Sequence, residues 1–95
     1  MEITVKEFLE NDFKNIIDIR KYEDYCDGII PNAKCIDKHL LVLNPEKYLE
    51  KDKEYIIYCE MGKQSRSVCL KLRLLGYQVR HIKGGYSAYI KHIKL

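Results

Sequence analysis

The chain lacks the cysteine spacings that mark common redox and metal sites. Its cysteines, Cys26, Cys35, Cys59 and Cys69, include no C-x-x-C pair, and its histidines do not cluster with them in sequence. This pattern speaks against a thioredoxin-like redox pair and against common zinc sites. No nucleotide or flavin motif is present either, so we expect neither a metal nor a bound cofactor.

Long apolar runs and a strong charge of one sign are also missing. No apolar run approaches the ~18 residues of a membrane span, and residues 1–7 lack the basic and apolar regions of a signal peptide. We therefore expect no membrane association and a cytoplasmic location, where free thiols are more common than disulfides. The net charge of +3 and the scattered lysines give no indication of nucleic acid binding.

The 95 residues, with 46% hydrophobic and 33% charged residues, suit one compact domain over residues 1–95. Apolar, β-branched runs predict strands over residues 15–20, 34–36, 54–58 and 77–82. Thr4 and Glu7 form a capping box that predicts a short helix carrying Phe8 and Leu9 inward, and further helices are expected over residues 21–26, 40–43, 45–49, 65–75 and 86–92. This alternation predicts an α/β fold with a mainly parallel central sheet and helices on both of its faces.

The most informative segment follows the strand over residues 54–58. It delivers Cys59 into a polar loop made of Glu60, Met61, Gly62, Lys63, Gln64 and Ser65, with Arg66 next. A helical pattern of Val68, Cys69, Leu72 and Leu75 then begins. A thiol between a strand end and a helix start lies in positive potential, which lowers the pKa of the thiol and favours the thiolate. Cys59 is therefore a candidate nucleophile or part of an anion-binding loop, whereas Cys26, Cys35 and Cys69 are expected to be packing residues.

Five segments along the chain match the motifs of one protein family in order. They are Ile17-Asp18-Ile19-Arg20, Gly28-Ile29-Ile30-Pro31-Asn32-Ala33, Tyr58-Cys59-Glu60-Met61-Gly62, Leu75-Gly76-Tyr77 and Lys83-Gly84-Gly85-Tyr86-Ser87-Ala88-Tyr89. These resemble D-[VI]-R, G-H-I-P-G-A, the start of Y-C-x-x-G-x-R-S, L-G-[FY] and G-G-[WY]-x-A-W. The chain thus resembles a rhodanese domain of the single-domain sulfurtransferase type over nearly its whole length.

The resemblance implies a reaction and a role for the loop. A rhodanese-like enzyme moves sulfane sulfur from a donor such as thiosulfate or a persulfide to a thiophilic acceptor, through a persulfide on Cys59 and without another cofactor. Backbone N–H groups from about Glu60 to Ser65 would bind the thiolate and then the persulfide. Lys63 is the nearest flexible cation for an anionic donor, and Ser65 is expected either to hydrogen-bond within the loop or to cap the helix.

Several positions depart from the family pattern or leave a choice open. Ile29 replaces the usual histidine, Gln64 stands where many members carry arginine, and Arg66 lies one position beyond the expected serine. Glu60 adds a negative charge that opposes a highly charged donor. Asp18 and Arg20 either hold the strand edge and loops together or contact the substrate, and Arg66 is either a supporting residue or an exposed side chain.

Two other functions compete with free sulfur transfer. Related phosphatases and arsenate reductases use a C-x5-R loop, but here the sixth residue after Cys59 is Ser65. The stronger alternative is a rhodanese-like binding or regulatory module, or a sulfur relay that works only with a protein donor or acceptor and shows little free thiosulfate activity.

Overall fold

The computed structural model describes residues 1–94, so Leu95, the last residue of the predicted domain, lies outside the described residues. In chain order the strands are β1 (Glu2–Ile3), β2 (Ile16–Asp18), β3 (Lys34–Cys35), β4 (Glu54–Tyr58) and β5 (Gln78–Ile82). The α-helices are α1 (Val5–Glu10), α2 (Tyr22–Asp27), α3 (Lys38–Leu43), α4 (Lys63–Leu74) and α5 (Gly85–Ile93), with a 3₁₀ helix over Pro45–Lys47.

The strands form one parallel sheet in the order β1-β5-β4-β2-β3. The predicted α/β class and parallel sheet are therefore confirmed. In the shared register Asp18 of β2 lies between Cys35 of β3 and Tyr58 of β4. The carboxyl ends of these three strands thus meet at one edge of the sheet, which is where parallel α/β folds bind ligands.

Strand β4 separates two hydrophobic cores because successive side chains point to opposite faces of a sheet. Tyr55 and Ile57 belong to the core under α3 and α4, whereas Ile56 and Tyr58 belong to the core under α1 and α5. All four side chains are buried, as expected of a strand covered on both faces. The helices therefore cover both faces of the sheet, as predicted.

Local signals explain where several helices begin. Thr4 and Glu7 form the predicted capping box, with Glu7 N donating to Thr4 Oγ1 at 3.1 Å and Thr4 N donating to Glu7 Oε1 at 3.0 Å. Helix α3 begins at Lys38, earlier than predicted, because the Asp37 carboxylate accepts hydrogen bonds from the backbone N–H groups of His39 and Leu40.

Other predictions were wrong in detail. Leu9 is 47% exposed because Val5 and Phe8, three residues apart, already fill the inward face of the short helix α1. Cys26 is exposed rather than packed, since α2 has no buried residue. The helix predicted over residues 45–49 is the 3₁₀ turn Pro45–Lys47. Leu75 follows α4 as its C-cap and is 51% exposed.

Candidate active site

The Cys59 thiol lies at the start of α4, enclosed by backbone donors. Cys59 directly follows β4, and the residue is only 4% exposed. The N–H of Gly62 points to Cys59 Sγ at 3.1 Å, and the N–H of Ser65 points to it at 3.2 Å. Gly62 is the N-cap of α4 and Ser65 lies in its first turn, where unpaired N–H groups and the macrodipole favour negative charge at the sulfur. Of the donors expected over residues 60–65, these two reach the sulfur.

Ser65 hydrogen-bonds within the loop, which settles the choice between the two roles predicted for it. Its Oγ lies 3.3 Å from Cys59 Sγ and 3.3 Å from the carbonyl oxygen of Gly62. The cap of α4 is Gly62, in the left-handed region at φ 96°. The helix therefore begins at Lys63 rather than near Ser65, because the backbone turns at Gly62 and Ser65 already belongs to the first turn.

Backbone hydrogen bonds from the start of α5 position the cysteine loop. Tyr86 N donates to Cys59 O at 2.9 Å, and Ser87 N donates to Glu60 O at 2.9 Å. Gly85 is packed so closely that a Cβ at this position would lie 2.4 Å from Cys59 O. Gly85, the second glycine of the G-G-[WY]-x-A-W segment, is therefore the first residue of α5 and packs against the backbone of the cysteine loop. Sequence reasoning noted the Gly84-Gly85 segment but missed this contact.

A buried ion pair fixes the edge of the sheet beside the loop. Asp18 is fully buried, and its carboxylate accepts hydrogen bonds from the backbone N–H, Nε and Nη2 of Arg20. Arg20 Nη2 also donates to Gly28 O at 2.6 Å, and its guanidinium stacks 4.0 Å from the ring centre of Tyr86. These contacts correspond to the first of the two roles expected for Asp18 and Arg20, holding the strand edge and loops together.

Arg20 also reaches the loop through Glu60. Its Nη1 lies 3.3 Å from Glu60 Oε1, and the Glu60 side chain is 53% exposed. Burial alone lowers the pKa of Arg20, but the hydrogen bonds and charge of Asp18, followed by the hydrogen bond to Glu60, raise this pKa above its usual value. Arg20 therefore stays charged and partly offsets the negative charge that Glu60 adds beside Cys59.

A shallow cavity of about 420 Å³ opens above the thiol. It is lined by Arg20, Lys21, Asp24, Cys59, Glu60, Met61, Lys63 and Gln64. Lys21 and Asp24 were not predicted; Lys21 directly follows Arg20 and Asp24 lies in the first turn of α2, so their closeness in sequence to the end of β2 was the available signal. Neither Lys21 nor Lys63 forms an ion pair with any described residue. These two lysines are the flexible cations nearest to an anion in the cavity.

Gln64 and Arg66 form no hydrogen bond with the Cys59 thiol among the described contacts. Gln64 is exposed, and its side-chain oxygen accepts a hydrogen bond from Lys38 Nζ at 2.9 Å. Arg66 is exposed on α4 and does not line the cavity. Its backbone N–H, 3.1 Å from Gly62 O, continues the helix. The structure therefore brings Glu60, Met61, Lys63 and Gln64 around the cavity and leaves Arg66 outside it.

The remaining cysteines differ in their surroundings. Cys69 is fully buried, and burial raises the pKa of its thiol to about 12. Burial also raises the pKa of Cys35.

Among residues 1–94, no group of three or more His, Cys, Asp or Glu side chains is placed to hold a metal ion. No helix in the same range is long and apolar enough to cross a membrane.

Comparison with known proteins decides the family. The sequence model described as the Rhodanese-like domain matches residues 4–92. The chain belongs to the rhodanese-like domain family. Among solved structures, this rhodanese-like chain is similar to a rhodanese-related protein from Thermoplasma volcanium, with a TM-score of 0.87 and 27% identity over 96% of this chain and 91% of the other.

Two relatives of this rhodanese-like chain carry sulfurtransferase names. A Bacillus subtilis (strain 168) protein called "Putative sulfurtransferase YtwF" is 36% identical over 88 residues, which cover 90% of this chain and 82% of the relative. A protein from Allochromatium vinosum called "Sulfurtransferase" is 32% identical over 78 residues, which cover 81% of this chain and 72% of the relative.

Proposed function

We propose that this rhodanese-like domain is a sulfurtransferase that carries sulfane sulfur as a persulfide on Cys59. The observation that carries the proposal is the position of Cys59 Sγ beneath an open cavity. This sulfur accepts hydrogen bonds from the N–H groups of Gly62 and Ser65 at 3.1 and 3.2 Å. Each such bond contributes about 1.5–3 kcal/mol when the acceptor is charged. The names of the two relatives support the same class of reaction.

In the first step the Cys59 thiolate attacks the outer sulfur of the donor. A new S–S bond forms on Cys59 as the donor's own S–S bond breaks, and the bonding electron pair leaves with the rest of the donor. With thiosulfate the leaving group is sulfite, and with a persulfide it is a thiolate. Lys21 and Lys63 line the cavity and attract an anionic donor.

In the second step a thiophilic acceptor attacks the terminal sulfur of the persulfide. The S–S bond on Cys59 breaks, its electron pair returns to Cys59, and the acceptor keeps the sulfur. The N–H groups of Gly62 and Ser65 stabilise the returning negative charge. The Ser65 hydroxyl, which is equidistant from Cys59 Sγ and Gly62 O, rotates to donate to the sulfur when Cys59 is ionised.

A relay that depends on a protein donor or acceptor is the second candidate. The cavity contains the carboxylates of Glu60 and Asp24, and Gln64 supplies no charge. These groups work against a doubly charged free donor such as thiosulfate. A phosphatase reaction is disfavoured, since Ser65 occupies the sixth position after Cys59 and Arg66 lies outside the cavity.

A turnover assay tests the proposal. Sulfur transfer from thiosulfate, or from a small-molecule persulfide, to cyanide is followed by thiocyanate formation in the wild type and in Cys59→Ser. Cys26→Ser is the matched control, because it removes an exposed thiol outside the loop. We expect no turnover in Cys59→Ser and unchanged turnover in Cys26→Ser. Equal turnover in wild type and Cys59→Ser would contradict the proposal.

A further inference from the structure

A second, larger cavity runs between α3 and α4. It has a volume of about 560 Å³ and is lined by Lys38, His39, Val42, Leu43, Gln64, Ser67, Val68 and Lys71. We call this cavity the α3–α4 groove. Of the residues that line this groove, only Gln64, at one end, also lines the Cys59 cavity.

The α3–α4 groove has an apolar lining that is partly open to solvent. Val68 is buried and Val42 is half-buried, whereas Leu43 is 74% exposed. Leu74 lies one turn beyond Lys71 on the same side of α4 and is 87% exposed. A single exposed leucine needs no explanation, but an exposed leucine that lines an apolar groove, with a second exposed leucine on the helix that borders it, is typical of protein contacts.

The charged side chains that line the groove, Lys38 and Lys71, are both positive, and no described residue that lines it is acidic. Lys71 forms no ion pair within residues 1–94. The Asp37 carboxylate, which precedes Lys38 in sequence, does not line the groove and accepts hydrogen bonds from the backbone N–H groups at the start of α3. Charge complementarity therefore favours an acidic partner.

The groove is continuous with the mouth of the Cys59 cavity. Gln64 lines both cavities, and Lys38 Nζ donates to its side chain at 2.9 Å where they meet. A chain lying along the groove therefore brings one of its ends to the opening above Cys59. An additional charged contact at that end is available, because Lys63 precedes Gln64 and lines the Cys59 cavity.

We infer that the α3–α4 groove is the docking site for an acidic, leucine-bearing segment of the protein that gives sulfur to Cys59 or takes sulfur from it. The sulfur role of this partner rests on the proposed function, whereas the docking itself does not. A second copy of the chain has the same net charge of +3, so charge favours a different and acidic protein.

Peptide selection tests the docking without any sulfur chemistry. A phage-displayed library of random dodecapeptides is selected on immobilised Cys59→Ser protein, and the affinities of enriched peptides are measured by isothermal titration calorimetry. The measurements are repeated on the same protein carrying Lys71→Glu or Leu43→Ser. Lys91→Glu is the matched control, because Lys71 and Lys91 are both exposed lysines in the last turn of a helix. Thermal unfolding confirms that each variant is folded.

We expect the enriched peptides to combine Asp or Glu with leucine or similar residues. Their affinity should fall about tenfold or more in Lys71→Glu, since a like charge replaces an attractive one, and remain unchanged in Lys91→Glu. Enrichment of basic or neutral peptides, or equal binding by Lys71→Glu, would overturn the inference. So would concentration-dependent self-association, measured by sedimentation, that Leu43→Ser abolishes, because the groove would then bind a second copy.

The two proposals fail in distinguishable ways. Peptide binding by the Cys59→Ser protein together with no sulfur adduct on Cys59 of the wild type, after incubation with thiosulfate or a persulfide donor, would support the docking site and contradict the sulfur role of its partner. Turnover without selective peptide binding would leave the sulfurtransferase proposal in place and overturn the docking site.

Discussion

Gly85→Ala should displace the cysteine loop, because Gly85 packs against the backbone of that loop. The backbone of Gly85 has a φ of 62°, in the left-handed region. An added Cβ would lie 2.4 Å from Cys59 O, 2.8 Å from Glu60 O and 2.8 Å from Gly62 N. These are backbone atoms that cannot rotate away, so either the loop or the start of α5 must move.

Two separate costs set the size of the effect. An alanine in the left-handed conformation costs about 1–2 kcal/mol, and overpacking in a well-packed region costs about 1–3 kcal/mol. Gly76→Ala is the matched control, because Gly76 has a φ of 96° but its Cβ would meet only the Lys51 side chain, at 3.6 Å. We therefore expect Gly85→Ala to lower the free energy of unfolding by about 2–5 kcal/mol and Gly76→Ala to lower it by about 1–2 kcal/mol.

Urea denaturation measures the loss of stability, and the thiocyanate assay measures the displacement of the loop. A shift of about 1 Å in a reacting group typically costs on the order of 10²-fold in rate. Turnover should thus fall by that order in Gly85→Ala, whereas Gly76→Ala should keep the wild-type rate while it is folded. Equal stabilities of the two variants, or full turnover by folded Gly85→Ala, would refute the steric reasoning.

Three further predictions concern charged groups. Arg20→Met should cost about 3–5 kcal/mol of stability in urea denaturation, because it leaves the Asp18 carboxylate buried and unpaired. Burial lowers the pKa of His81 below its usual 6.5, so below that pH the unfolded state binds a proton that the folded state does not, and stability should fall. His81→Leu should reduce this loss between about pH 7 and pH 5 in urea titrations. Lys63→Ala should raise the KM for thiosulfate about threefold to tenfold, since a cation in the Cys59 cavity is lost.

Each of these predictions has a control or a contradicting result. Lys53→Met removes an ion pair in which both side chains are more than half exposed, and it should leave stability unchanged. Equal stabilities of the Lys53→Met and Arg20→Met variants would contradict the stabilising role of the buried ion pair. If His81→Leu lost as much stability as the wild type when the pH is lowered, His81 would be excluded as the source of that loss. Lys91→Ala, on the last turn of α5, should leave the KM for thiosulfate unchanged.

The protonation of His81 is opposed by more than burial. Glu2 raises its pKa, whereas the amino terminus and Arg66 lower it further. Neither ring nitrogen has a hydrogen-bond partner among the described residues. The Glu2 carboxylate lies 4.0 Å from Nδ1, beyond hydrogen-bond distance, and does not offset the burial that lowers the pKa, so the predicted stability loss lies on the acid side.

The order of elements and the place of Cys59 could be predicted because their signals are local. Apolar runs, the capping box at Thr4 and the glycine-bearing loop after β4 are each contained in a few consecutive residues. The parallel sheet then brings the carboxyl ends of β2 and β4 together, so Asp18 and Cys59 could be assigned to one edge from their separate strands.

Contacts between distant segments could not be predicted in the same way. The pairing of Arg20 with Glu60 and the packing of Gly85 beneath Cys59 join residues far apart in sequence. Neither contact leaves a periodic pattern in the chain. The start of α4 was misplaced for a related reason, because the left-handed backbone of Gly62 depends on the hydrogen bonds that the loop makes around the Cys59 sulfur.

Intact-protein mass spectrometry tests the central proposal most directly. The wild type, Cys59→Ser and Cys26→Ser proteins are incubated with thiosulfate or with a persulfide donor, and their masses are compared before and after reduction. We predict a reducible gain of about 32 Da, the mass of one sulfur atom carried on a nucleophilic cysteine, in the wild type and Cys26→Ser but not in Cys59→Ser. The same gain in Cys59→Ser, or no gain in folded wild type whose Cys59 can be alkylated, would contradict a persulfide carried on Cys59.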